Sequence, residues 1–209
     1  MIPVNVLSVQ YIPNAAPALC EGLGVPHNSP SLGLITTDSD DATYIALDEA
    51  TKAADVQVSY ARSFYAGAAN ASTPYAGEVI GILSAATPGA MRSGMAAIQT
   101  ALERIGFEET GGVPYLAHTV SSCGSFLAAE AGVRQGSALA YLIAPPLEAM
   151  VGMDAALKAA DVKLCKLYAP PSETNFGGGL LTGTQSACTA ACDAFAEAVR
   201  QIAQQPVEL

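Results

Sequence analysis

The chain has 209 residues, 51% of them apolar, only 13% charged, and a formal net charge of −10. Nine Lys and Arg against nineteen Asp and Glu exclude a phosphate-backbone binder, whose affinity comes from cations neutralising phosphates, so no nucleic acid is expected as a partner. No apolar run approaches the ~20 residues of a membrane span, no secretory leader is visible at Met1–Leu7, and so few charges predict a surface largely covered by other subunits.

The predicted elements run in two matching series. The first opens with a strand over Val4–Tyr11, a short helix over Ala15–Leu23 closed by Gly24, and a strand over Ser31–Thr36. A helix over Thr43–Ala54, a strand over Val56–Tyr60, a long loop and a strand over Gly77–Leu83 follow. The series ends in a long helix over Pro88–Ile105, where the proline suits a first helical turn. The second series repeats this order: Tyr115–Val120, Gly124–Ala131 closed by Gly132, Ala138–Ile143, Leu147–Ala160, Val162–Leu167, Gly178–Thr182 and Gln185–Gln204. Strands and helices mixed in this order, with little room for long crossovers, predict an α+β fold of sheets with helices packed on them.

The residues repeat as well as the elements. Leu47–Val56 returns as Met153–Val162 with seven identities in ten positions at an offset of 106. Gly24, Val25, Leu34 and Ile35 recur 108 residues on, and Thr87, Ala90 and Ile105 recur 97 residues on. Order is kept while the offset drifts, so one module is used twice, with a junction near Phe107–Gly112. Roughly 100 residues per copy supports a core without staples. Two copies are too few for a solenoid, which predicts a pseudo-symmetric pair that assembles further. The copies differ mainly in the loop after the third strand: 28 residues separate Val58 from Thr87, but 19 separate Leu164 from Thr184. Long loops without their own structure carry function more often than packing, so both loops are candidates.

Few residues offer chemistry. Cys20, Cys123, Cys165, Cys188 and Cys192 are odd in number and lack paired metal-ligand spacing, which predicts reduced thiols, with Cys188 and Cys192 packed in the core. His27 and His118 stand alone in their copies, and Gly177–Gly179 lacks the Lys and Ser/Thr of a phosphate loop, so a close backbone approach is expected there. The acidic run Asp38–Asp41 is the densest charge cluster. Two readings of it stand open: carboxylates stabilising the positive end of the following helix, or an acidic lining for a small cation, which Glu78 could join.

Four segments carry a resemblance: Leu32–Asp41, Tyr60–Ala68, Ala144–Ala149 and Pro170–Phe176. With them the chain resembles the tandem-domain, trimeric shell proteins of bacterial microcompartments, those of ethanolamine utilisation above all. The resemblance implies two circularly permuted microcompartment domains, residues 1–107 and 108–209, each a mainly antiparallel sheet with packed helices. It implies a homotrimer that forms a pseudohexameric tile beside other shell proteins in a cytoplasmic microcompartment shell. It further implies a small-pore site for ethanolamine-like amines at Asp40, Asp41, Glu78 and Phe107, and a gated central pore for metabolites or larger cofactors. The gate falls on Phe64, Tyr65, Ala66 and Gly67 of the first long loop and on Glu173, Thr174, Asn175 and Phe176 of the second. No catalytic residue, metal or resident cofactor is expected. The rival reading is a soluble trimeric amine sensor, and an enzyme using the same carboxylates lacks a nucleophile in the sequence.

Overall fold

The computed structural model describes residues 1–64 and 74–207. They fall into two compact units: Pro3–Ile105 with Gly124–Leu127, and Met1–Ile2 with Gly106–Cys123 and Ala128–Leu209.

The first unit holds β1 (Val6–Ile12), α1 (Pro17–Leu23), β2 (Ser31–Thr37), α2 (Asp40–Ala53), β3 (Gln57–Ser63), β4 (Val79–Ala85) and α3 (Pro88–Leu102). Its sheet runs β1-β2-β4-β3, every pair antiparallel. The central strands β2 and β4 are almost wholly buried, as strands covered on their faces must be to bury Leu32, Ile35, Ile82 and Leu83.

The second unit holds β5 (Glu108–Thr110), β6 (Val113–Val120), most of α4 (Ser125–Ala131), β7 (Ala138–Ala144), α5 (Pro146–Ala159), β8 (Val162–Tyr168), β9 (Gly177–Gly183) and α6 (Gln185–Gln204). Its sheet runs β5-β6-β7-β9-β8, again antiparallel throughout. Leu142, Leu181, Met153 and Phe195 anchor its core, and Cys188 and Cys192 lie inside it as expected.

Beyond the added β5, the two sheets share one strand order, and the details repeat with it. Both third strands break register at matching places, Val58/Tyr60 in β3 and Leu164/Lys166 in β8. Thr87 and Thr184 cap α3 and α6 alike, each hydroxyl accepting the backbone N–H three residues on, from Ala90 and Ala187, at 3.2 Å. The glycines after α1 and α4 take the left-handed conformation, with φ of 68° at Gly24 and 65° at Gly132.

Three features depart from the sequence reading. Helix α2 begins at Asp40, not near Thr43, so the acidic pair forms its first turn instead of preceding it. Strand β5 was not expected; Gly111 and Gly112, with φ of 57° and 83°, make the two-residue turn that pairs it with β6. Gly177–Gly179 belongs to β9 and is buried, so the second long loop ends at Phe176. A Cβ on Gly178 would sit 1.9 Å from Leu142 O, and one on Gly179 2.3 Å from Lys166 O, which is the close backbone approach the triplet predicted.

Candidate functional site

The turn between β2 and α2 gathers the acidic residues of the first unit. Thr37 Oγ1 and Thr43 Oγ1 share a hydrogen bond of 2.7 Å, and Thr43 Oγ1 also donates to Ser39 O at 2.7 Å. Ser39 N–H donates back to Thr37 Oγ1 at 3.2 Å, so the turn is tied at both ends. Ser39 occupies the N-cap but makes no capping bond, and its buried hydroxyl has no hydrogen-bond partner among the described residues. Asp40 and Asp41 are both buried, and Asp40 Oδ1 accepts the Asp41 N–H at 2.8 Å. Asp38 does something else. Its two oxygens accept the backbone N–H and the side-chain amide of Asn5, at 2.8 and 2.6 Å, so it fastens the start of the chain instead of serving the helix.

Glu78 reaches the same turn from the residue before β4. Its N–H donates to Thr37 O at 2.8 Å, and its carbonyl accepts the Phe64 N–H at 3.0 Å. Gly77 makes this approach possible: its φ is 66°, and a Cβ there would lie 1.9 Å from Thr37 O. Burial pushes the Glu78 carboxyl above the ordinary glutamate value, and the negative charges of Asp40 and Asp38 push it further the same way. The structure therefore brings Asp40 and Glu78 into one acidic field, with Asp41 beside them on α2. Such a field favours a small cation, whose arrival relieves the repulsion.

Phe107 belongs to the other unit. Its carbonyl accepts the Ile2 N–H at 2.5 Å, and its ring lies 5.7 Å from that of Phe176 at an interplanar angle of 53°. Phe176 closes the second long loop, so one candidate for the amine site and one for the gate pack together, a pairing that 68 intervening residues hid from the sequence. Within that loop the Ser172 N–H donates to Phe176 O at 2.8 Å and the Asn175 N–H to Ser172 O at 3.0 Å. Ser172 Oγ and Thr174 Oγ1 stand 3.3 Å apart, and Asn175 adopts a φ of 69°, a conformation that asparagine tolerates better than most residues. Glu173 is exposed between them. Of the first loop, Phe64 is half-buried at the end of β3, while Tyr65, Ala66 and Gly67 lie outside the described residues. Among the described residues no cluster of His, Cys, Asp and Glu fits a metal ion, and no helix is long and apolar enough to cross a membrane.

Two permuted antiparallel sheets with packed helices define a class, and comparison with known proteins agrees with it: residues 31–113 match the BMC domain family. A trimeric microcompartment shell protein, PduB, superposes over 96% of this chain and 89% of its own with a TM-score of 0.80 at 20% identity, which speaks for the shared fold. Closer relatives narrow the class. The microcompartment shell protein EutL of Clostridium perfringens is 57% identical over 99% of this chain and 97% of its own length. The crystal structure of ethanolamine utilization protein EutL from Leptotrichia buccalis is 55% identical and superposes over 100% of this chain and 98% of that one with a TM-score of 0.95. The chain belongs to the EutL family of bacterial microcompartment shell proteins, a family of structural proteins and not of enzymes.

Proposed function

We propose that three copies of this shell protein form a pseudohexameric tile, residues 1–107 and 108–209 supplying the six similar sectors. The tile carries a central pore gated by the two long loops and, in each chain, an acidic site for a small amine such as ethanolamine. The observation that carries the amine reading is the buried pair Asp40 and Asp41 with Glu78 in their field, its carboxyl pushed upward by burial and by Asp40. A primary ammonium ion offers three donors and one positive charge, which satisfies carboxylates held in this way. Phe107 belongs to the other unit, and its share in amine binding rests on the family resemblance. The gate reading leans on Glu173, Thr174, Asn175 and Phe176, whose loop is closed by the backbone hydrogen bonds of Ser172 to Phe176 and Asn175 to Ser172. Two loop arrangements of similar energy would make such a pore bistable, and an amine shifts it only by its differential affinity for them.

Titration calorimetry with ethanolamine up to millimolar concentration tests the site. Wild type should bind weakly, and Glu78→Gln and Asp40→Asn should each weaken binding by about tenfold, the scale of one charge-assisted hydrogen bond. Spin labels at Glu173 in the assembled protein read the gate in the same titration. No heat with wild type removes the amine site, and a single label distance in every condition leaves a static tile.

A further inference from the structure

Among the described residues the Ser39 hydroxyl is the one buried side-chain oxygen or nitrogen without a hydrogen-bond partner. Leaving a buried hydroxyl unpaired is costly, so such a group calls for a reason. The backbone of Ser39 is fully engaged: its N–H donates to Thr37 Oγ1 at 3.2 Å, and its carbonyl accepts the Thr43 hydroxyl at 2.7 Å and the Thr43 N–H at 3.3 Å. Only the side chain is idle, although its N-cap position would let it accept a first-turn N–H of α2.

The second copy shows that a helix at this place does not need the hydroxyl. Helices α2 and α5 are both 14 residues long and match at an offset of 106, so Ser39 corresponds to Pro145, the N-cap of α5. Asp40 and Asp41 correspond to Pro146 and Leu147, and Glu78, the residue before β4, corresponds to Phe176 before β9. The second copy thus starts an equally long helix with no polar side chain at any of these places, a proline serving its first turn. Polar groups that the fold can do without, gathered at one helix end with one of them buried and unpaired, point to a ligand and not to a cap.

We infer that the Ser39 hydroxyl reads the alcohol group of the ligand: Asp40, Asp41 and Glu78 take the ammonium group of a vicinal amino alcohol, and Ser39 hydrogen-bonds its hydroxyl. The division follows from the chemistry of the groups. Carboxylates outcompete a neutral hydroxyl for a cation, while a serine hydroxyl both donates and accepts, as an alcohol does. In a vicinal amino alcohol the two polar groups sit on neighbouring carbons, and the residues that meet them here, Ser39 and Asp40, are neighbours in the chain at the same helix end. A site that holds a hydroxyl partner in a buried place rejects the analogue lacking the hydroxyl, because the partner then stays unpaired. This rests on the amine reading above and adds to it which residue selects among amines.

The test compares ethanolamine with ethylamine, which keeps the ammonium group and lacks the hydroxyl, by titration calorimetry on full-length wild type and Ser39→Ala. Wild type should bind ethanolamine about tenfold more tightly than ethylamine, the scale of one hydrogen bond. Ser39→Ala should lose that preference, its ethanolamine affinity falling about tenfold while its ethylamine affinity stays within about twofold. Melting curves without amine check the fold: the variant should melt at the wild-type temperature or above it, because an unpaired buried hydroxyl is gone. Wild type that binds neither amine removes the amine site, and this inference with it. Wild type that binds both amines equally, or a variant that loses both equally, leaves the amine site standing and overturns the role of Ser39. A variant that melts lower without amine shows that the hydroxyl caps α2, which overturns that role as well.

Discussion

Glu78 sits where stability and ligand binding pull in opposite directions. Burial and the charges of Asp40 and Asp38 raise its carboxyl above the ordinary value of 4.5, so the folded state disfavours the ionised form. A group raised on folding contributes its stability below the unfolded value and loses it as pH rises through the folded one. Glu78→Gln removes that loss. It should raise the melting temperature at pH 7 by about 1–2 °C, reflecting on the order of 0.5 kcal/mol for one relieved like-charge contact, with the gain vanishing toward pH 4. Thermal melts of both proteins at pH 4 and pH 7 check the sign; a Gln variant less stable at pH 7 would show that Glu78 is held by partners that favour its charge. The same substitution should weaken amine binding, so a variant that is more stable and binds less is the signature of a ligand site and not of a structural carboxylate. The residue types of this site were legible, but their division of labour was not. Asp38 and Asp40 look alike in the run, and only the fold brings Asn5, 33 residues away, to claim Asp38.

Among the elements, α4 depends most on a partner outside itself. Its opening residue Gly124 has no side chain to cap it, and Asp48 of α2 takes over by accepting two of its first N–H groups. Burial raises the Asp48 carboxyl, while those two bonds and the charge of Lys52, 3.9 Å away, draw it back. Asp48→Ala strands both amides in a buried place and should cost about 2–3 kcal/mol, lowering the melting temperature by roughly 5–10 °C. Asp48→Asn keeps one acceptor and should lose about half as much, which calorimetric scans of the two variants would compare. The repeat itself was visible in the sequence because local rules wrote it twice: Thr87 and Thr184, Ala90 and Ala187 match as letters, and they are the caps and the amides they bind. The short strand β5 was missed although Gly111-Gly112 is a hairpin signal, because three residues ending in Thr110 are too few to show alternation. The start of α2 was placed late for another reason: carboxylates beside an N-terminus look the same in sequence whether they precede the first turn or form it, and here Asp40 and Asp41 form it.

At the scale of the whole molecule, two kinds of contact answer differently to salt. Exposed apolar side chains such as Leu19, Leu147 and Val151 offer contacts between copies of the proposed ring, and apolar burial is insensitive to screening. Contacts between finished tiles bring together bodies whose every chain carries a net charge of −10, and like-charged surfaces repel over the Debye length. That length falls from about 30 Å at 10 mM ionic strength to about 8 Å at 150 mM. The trimer mass should therefore stay constant across this range, while sheets or tubes should be scarce at 10 mM and abundant at 150 mM. Light scattering reads the first and negative-stain microscopy the second on the same samples. Neutralising charge should do what salt does: at 10 mM, lowering pH from 8 toward 5 brings the chain closer to its isoelectric point near 4.4 and should also promote sheets. If trimers dissociate at low salt, ion pairs and not apolar faces hold the ring. If discrete trimers persist at every salt concentration and pH, tiling needs the other shell proteins beside this one, and the copies do not meet edge to edge on their own.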